Sequence, residues 1–324
     1  MVLSFSLRCL SIAANQNSFT VSYLINTCGL SPESALSASK HVQFETPDKP
    51  DLVISYFQNL GFSKAHISSI IRRYPRTLSS NPEKFIFPKV EFFRSKGAST
   101  PDLVRIFVSN PWILKRSLEN HLIPTFNFFR DLLQTDQKTI STIKLSPGIM
   151  ARRLESEMIP NINILRENGV SEANILLVLR YHAQKLGRDA KMFKKIVDEV
   201  NEMGFDPSKS QFVLAIIALR GISKSTWDEK VEAYKRWGWS DEDIGTAFGK
   251  YPWCMTISTD KIMAVMDFYV DKLGLDSSVI ANRPVLLSLS LKKRLLPRAS
   301  VIQYLSSKGL VKIDSRIARL FEMT

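Results

Sequence analysis

The sequence predicts an all-α fold, a solenoid of tandem helical units of about 35 residues, and three observations predict it. A glycine recurs at a near-constant step: Gly61, Gly97, Gly169, Gly204, Gly238, Gly274 and Gly309 are separated by 36, 72, 35, 34, 36 and 35 positions. Two places after each stands a helix-capping residue, in turn Ser63, Ser99, Ser171, Asp206, Ser240 and Asp276, with only Val311 breaking the rule. A proline then closes the segment, as at Pro75, Pro111, Pro147 and Pro252. "LGFSKAHISSIIRRYP" (60–75) and "WGWSDEDIGTAFGKYP" (237–252) are the same unit written 177 positions apart.

Each mark has a physical role. A glycine after the last helical turn adopts the left-handed conformation that closes a helix. Ser, Thr or Asp just beyond it accepts from the free N–H groups of the next helix. The step of 72 spans two units, with Leu133 where the missing glycine belongs and Thr135 as its cap. Pro101 and Pro207 suit a first helical position, and Ser240-x-x-Asp243 reads as a capping box with an acidic first turn. Proline lacks the N–H that a helix interior needs, so the second helix stops before it. Pro88, Pro124 and Pro160 start the first helix of the following unit, and between the two proline sets a dozen residues such as "WILKRSLENHLI" (112–123) provide a short third helix.

The apolar pattern is helical. Six and ten places after the glycine stand Ile67/Ile71, Leu103/Phe107, Ile175/Leu179 and Ile244/Phe248, one face of a helix. Tyr56, Phe57, Phe93, Phe129, Trp237 and Tyr269 come from the first helix of each unit, and their register assigns them to the core rather than to base stacking. One unit cannot bury its own apolar face, so units stack. The chain divides into a targeting segment at 1–20, a helical cap or partial repeat at 21–50, the array at 51–310 and a tail at 311–324. Residues 1–32 hold no Asp or Glu, are rich in Ser and carry one Arg, as organelle transit peptides do.

Composition narrows the classes. The chain has 324 residues, 44% hydrophobic and 23% charged, with a net charge of +13, which suggests a polyanionic partner. Cys9, Cys28 and Cys254 are too few and too scattered for a disulfide framework. "FVLAIIAL" (212–219) is too short to span a membrane and reads as a buried helix.

The stretches "LGFSKAHISSIIRRYPRTL", "KGASTPDLVRIFVSNPWIL", "EMGFDPSKSQFVLAI" and "YKRWGWSDEDIGTAFGKYPWCM" resemble the mitochondrial transcription termination factor (mTERF) family, the last two its plant branch. The resemblance covers roughly 51–310 and is specific as a whole rather than in any one unit. It implies a right-handed type of superhelix of three-helix units that binds double-stranded DNA, or sometimes RNA, in mitochondria or chloroplasts. The implied roles are transcription termination, organellar gene expression and RNA maturation. The family has no invariant catalytic residue to carry over. Three departures stand out: Ala183 replaces an expected proline, 205–230 lack one, and Gly274 precedes Pro284 by only ten positions. The middle of the array is therefore expected to bend or loosen.

The excess charge is clustered. Residues 61–130 hold 12 Lys/Arg against 4 Asp/Glu, and 291–320 hold 8 against 1, whereas 201–260 hold 7 against 9. Lys115, Arg116, Arg152, Arg153, Lys185 and Arg188 recur a few places after Pro111, Pro147 and the Ala183 stand-in. Arg72 and Arg73 lie just before Pro75, and Lys292, Lys293, Arg294 and Arg298 follow Pro284. Equivalent positions in stacked repeats share one side, so these twelve are the expected phosphate contacts, giving affinity without a base code. Removing Lys115 and Arg116 together is expected to reduce the salt slope of binding by about 2.

No catalytic site can be assembled. His41, His66, His121 and His182 are scattered, and no metal spacing, phosphate loop or dinucleotide fingerprint occurs. The sequence reading is thus a monomeric, non-enzymatic organellar protein without metal, cofactor or membrane partner. It binds double-stranded DNA to regulate transcription, in the mitochondrion first and the chloroplast second. RNA binding for intron splicing or ribosomal RNA maturation is the alternative, with organellar transcription or RNA-processing proteins as further partners. A protein-interaction scaffold is the other class, kept open by the near-neutral 201–260 stretch with Trp239 and Trp253 as exposed candidates.

Overall fold

The computed structural model of the chain describes residues 18–187, 189–312 and 314–323. Among these residues the regular structure is all helix, with no strand. Most of the expected targeting segment lies outside the described residues. Its last three do not: Ser18 caps the Phe19–Asn26 helix, and the buried Thr20 hydroxyl donates to the Phe44 carbonyl at 2.7 Å. The boundary expected at residue 20 therefore falls inside a helix.

The recurring glycines end their helices as the sequence implies. Gly61 has φ 88° and Gly238 φ 81°, and the five others of the series are left-handed too. At Gly61 a side chain would also meet Thr100 Cγ2 at 3.2 Å. Gly29, φ 71°, carries the pattern one unit further toward the N-terminus. The glycine-less unit keeps the geometry at Gln134, φ 72°, one place beyond the expected Leu133. That conformation costs an L-residue about 1–2 kcal/mol.

The caps mostly follow. Ser63, Ser99, Thr135 and Ser240 each accept from the third amide of the next helix, and at Ser99 and Ser240 an Asp closes a reciprocal box. Asp206 is the exception. Its carboxylate accepts from Ser208 N, Pro207 lies in a turn, and the helix starts only at Ser210. The following stretch is buried as expected, from Phe212 to Ala218.

The stop is a backbone break before the proline. Tyr74, Asn110, Ser146, Tyr251 and Arg283 leave the helix with φ between −132° and −149°. The proline then opens a five-residue 3-10 helix: Pro75–Ser79, Pro111–Lys115, Pro147–Ala151, Pro252–Thr256 and Pro284–Ser288. This is the third element of the unit, shorter than the dozen residues available. Ala183 does not abolish the break. His182, in the register of Ser146, has φ −136° inside the Glu172–Leu186 helix. Ala183 and Leu186 are both fully buried, so packing holds there what proline imposes elsewhere.

The chain forms two compact units, one comprising residues to Glu155 with Leu179–Gly187, the other Ser156–Val178 with the residues from 189 on. In the first, Ile67, Ile71, Phe93, Leu103, Phe107, Phe126 and Phe129 build the core, all at most 3% exposed. Phe93 meets Phe107 edge to face within one repeat, and Phe92 meets Phe126 in the next. In the second, Phe212, Tyr234, Ile244, Phe248, Tyr269 and Phe321 are buried. Burying each such side chain stabilises by about 1.5–3 kcal/mol. Trp239, expected to be exposed, is 3% exposed and stacked flat on Tyr234 at 4.6 Å. Trp253 is half-buried. Cys28 and Cys254 are free and buried, and burial pushes both thiols up to about 12, so they stay protonated and inert.

Polar links join successive repeats inside each unit. Asp102, in the Thr100–Ser109 helix, pairs with Lys144 of the Asp136–Leu145 helix at 2.6 Å. Burial pushes the Asp102 carboxyl up, but the Lys144 ammonium and the Ser99 hydroxyl and amide together hold it below the usual range. A carboxyl depressed on folding stabilises above its unfolded value near 3.9 and loses that contribution as pH falls through the folded value. Asp102→Asn is therefore expected to lower the unfolding stability at pH 7 by about 1–2 kcal/mol. The deficit should shrink in acid, measured by urea unfolding from pH 7 to pH 3.

Candidate nucleic-acid interface

The breaks that end the second helices gather one feature in the first unit. The C-terminal end of the Pro32–Ser39 helix, the Arg72–Arg76 break and the Pro111–Lys115 3-10 helix lie side by side, at corresponding positions of three successive repeats. They frame a groove of about 400 Å³. Arg72, Arg73, Arg76 and Lys115 line it, with His41, Ser34 and Ser37, and no Asp or Glu does. Tyr74 and Trp112 form its aromatic wall, ring centres 5.3 Å apart and tilted by 43°. Trp112 is 49% exposed.

Local chemistry puts these side chains there. Arg72 and Arg73 occupy the last turn of the Lys64–Arg73 helix, where cations suit the helix dipole. Trp112 follows the proline that starts a 3-10 helix, so the residues around it, Pro111 and Ile113, are buried while it faces out. Lys115 ends the same turn and is exposed. Arg72 and Lys115 have no hydrogen-bond or ion-pair partner among the described residues, so their charges are available to a ligand.

The expected phosphate contacts divide by what they touch. Arg73 Nη1 donates to the Val108 and Ser109 carbonyls at 3.2 and 2.9 Å, closing the end of the next repeat's second helix. Arg116 is half-buried, and its Nη2 donates to the Ala151 carbonyl at 2.5 Å. Arg152 is half-buried with its side chain against Gly187, and Lys185 is half-buried. Arg153 is exposed, and Arg188 lies outside the described residues. In the second unit, Lys292 and Lys293 are exposed. Arg294 donates to the Glu322 carbonyl at 2.7 Å, and Arg298 to those of Leu320 and Phe321 at 2.9 and 3.0 Å. These two arginines satisfy the end of the C-terminal Ala318–Glu322 helix. Lys293, Arg294 and Arg298 also line a shallow recess of about 600 Å³ with Ser288 and Ser290.

A second set of cations is wholly structural. Buried Lys230 donates to the Ile257 carbonyl, and Lys261 to that of Ser288 at 2.6 Å, each just after or at the end of the 3-10 helix of its own repeat. Buried Lys89 donates to the Phe85 carbonyl at 2.7 Å, and burial lowers the pKa of its ammonium. Lys89, Thr125, Asn161 and Lys230 share one register, eight places before the helix-ending position. Sequence reasoning did not single out Arg76 or the exposed Trp112. The signal for Arg76 was its place in the acid-poor 61–130 stretch; for Trp112 it was its position after a proline, outside any helical register.

Among the described residues no group of three His, Cys, Asp or Glu side chains is placed to hold a metal, and no helix is long and apolar enough to cross a membrane.

The architecture is that of an all-α helical-repeat protein. The mTERF family model matches residues 54–263 and again 219–324, most of the chain, and the chain belongs to the mTERF family. The family is in general a nucleic-acid-binding, non-enzymatic and organellar one. No curated protein matches the chain.

The split between carbonyl-bound and unbound cations is open to measurement. Arg116→Ala is expected to lower stability by about 1.5–3 kcal/mol, because a charged donor is lost from a half-buried carbonyl. Arg72→Ala is expected to leave stability within about 0.5 kcal/mol, as at an exposed surface position. Urea midpoints of the two variants give the comparison.

Proposed function

We propose that this protein binds nucleic acid in an organelle and regulates gene expression there, with double-stranded DNA as ligand and transcription, termination included, as the step controlled. The observation that carries this reading is the acid-free groove at Arg72, Arg73, Arg76 and Lys115. Arg73 and Arg76 also donate to main-chain carbonyls, whereas Arg72 and Lys115 are exposed and without partners among the described residues, so they attract a phosphate backbone and release its counterions on binding. Arg153 in the first unit and Lys292 and Lys293 in the second supply further exposed charge. Phosphate contacts carry no sequence information, so affinity is expected to depend on salt more than on sequence. The acid-free start of the chain supports an organellar destination, the mitochondrion first and the chloroplast second.

A second reading, binding of RNA for splicing or ribosomal RNA maturation, is favoured by the exposed Trp112 beside the cations. Stacking of unpaired bases on aromatic side chains is a common way to hold RNA. Fluorescence anisotropy with matched duplex DNA and single-stranded RNA at several salt concentrations tests both. The double variant Arg72→Ala, Lys115→Ala is expected to reduce the slope of log K against log[salt] by about 2 on duplex DNA. Arg116→Ala is expected to leave the slope unchanged, because its guanidinium is already held by the Ala151 carbonyl. Binding with no salt dependence, or none at low salt, would remove the nucleic-acid reading and leave a protein scaffold in its place.

A further inference from the structure

We propose that the groove beside Trp112 is a subsite for one unpaired nucleotide of a single-stranded nucleic acid, its base stacked on the indole and its flanking phosphates held by Arg72 and Lys115. The inference rests on the nucleic-acid reading above and deepens it, since phosphate attraction alone needs no aromatic group.

Three observations meet at this place. The first is the indole. Among the described residues Trp112 is the only tryptophan in the set of large exposed apolar side chains, whereas the helix-borne aromatics Phe57, Phe93 and Phe129 are fully buried. A tilt of 43° against Tyr74 means that the two rings do not cover one another face to face. An indole half exposed to water offers a stacking surface to any nucleobase, because every base has a π-face. The second is charge. Arg72 and Lys115 line the same groove, are exposed and have no partner among the described residues. The third is size. About 400 Å³ lies in the range of small-molecule sites, about 300–1,000 Å³, and suits a nucleotide. Paired bases inside a duplex are stacked on their neighbours and offer no free face to Trp112, so the subsite selects a single strand. Ser34 and Ser37 add hydroxyls that both donate and accept, which suits base or sugar edges without choosing among bases.

The corresponding positions of other repeats do not reproduce the site. The residue after the proline is Arg76, Gly148, Trp253 and Val285 in the other units. Trp253 is half-buried, so in the register of Trp112 it presents less indole surface. The arrangement therefore makes one stacking position rather than a code of one base per repeat.

The test uses the full chain and ten-nucleotide homopolymers of single-stranded RNA and of single-stranded DNA, each with a single central 2-aminopurine, and a matched duplex. The expected result is quenching of the 2-aminopurine on binding of the wild-type protein to a single strand. Trp112→Ala should lose that quenching and weaken single-strand binding about tenfold or more. Trp112→Phe should keep most of the affinity, and Trp112→Ala should leave the duplex affinity and the salt slope unchanged, since stacking releases no counterion. The RNA and DNA arms decide which strand is preferred, and either preference supports the subsite. Urea unfolding of Trp112→Ala checks that the repeat is intact; if it is not, loss of quenching by the folded Trp112→Phe against Trp112→Leu pair is read instead, with Leu expected to fail and Phe to hold. Equal affinity and equal quenching in wild type and the aromatic-free variant overturn the subsite. If Arg72→Ala with Lys115→Ala still weakens binding in that case, the nucleic-acid reading survives alone; if no polynucleotide binds the wild type at low salt, both fail.

Discussion

The rest of the structure depends on the break at the end of each second helix. One residue leaves helical geometry, at Tyr74, Asn110, Ser146, Tyr251 and Arg283, and the chain turns into a five-residue 3-10 helix. A helix that ran straight on would carry its apolar face away from the repeat. The break returns Leu78, Ile113, Ile149, Met255 and Leu286 to the core, where each is fully buried. It also leaves carbonyls at the end of a short helix without a backbone partner in that helix, and buried carbonyls need donors.

Basic side chains supply many of those donors, from the preceding repeat or from the first helix of the same repeat. Arg73 and Arg116 reach terminal carbonyls of the next repeat, and Lys230, Lys261 and Arg294 reach carbonyls at or just past a helix end later in their own repeat. Long cationic side chains suit the task because they span the gap between layers and complement the negative end of a helix. Part of the basic charge therefore serves stacking, while most Lys and Arg side chains among the described residues face solvent. The groove at Arg72 and Lys115 is where cations remain free next to the break itself.

Several parts of this were legible in the sequence. Left-handed glycines, Ser and Asp caps, and prolines after the second helix act on the backbone within a few residues, so Gly61, Ser99 and Pro111 could be read directly. Gln134 escaped because a non-glycine residue took a strained conformation that only the surrounding helices enforce. The break at His182 escaped for a related reason, as buried Ala183 and Leu186 hold it without a proline. Within the candidate site, Arg72, Arg73 and Lys115 were legible from repeat register and charge. Trp112 was not, because a helical period decides the facing of a side chain only inside a regular helix.

The sequence by itself determined the kind of protein: an array of helical units with a known period, a basic excess concentrated in two stretches, and membership signalled by the repeated Gly, cap and proline. These follow from local stereochemistry and from counts, which do not depend on where distant residues go. Only the tertiary structure decided which cation does what. Lys115 and Arg116 are adjacent in sequence and both basic, yet one is exposed in a groove and the other is half-buried on the Ala151 carbonyl. The physical reason is that a guanidinium's role is set by the acceptor within its reach, and that acceptor lies 35 residues away, in the next repeat.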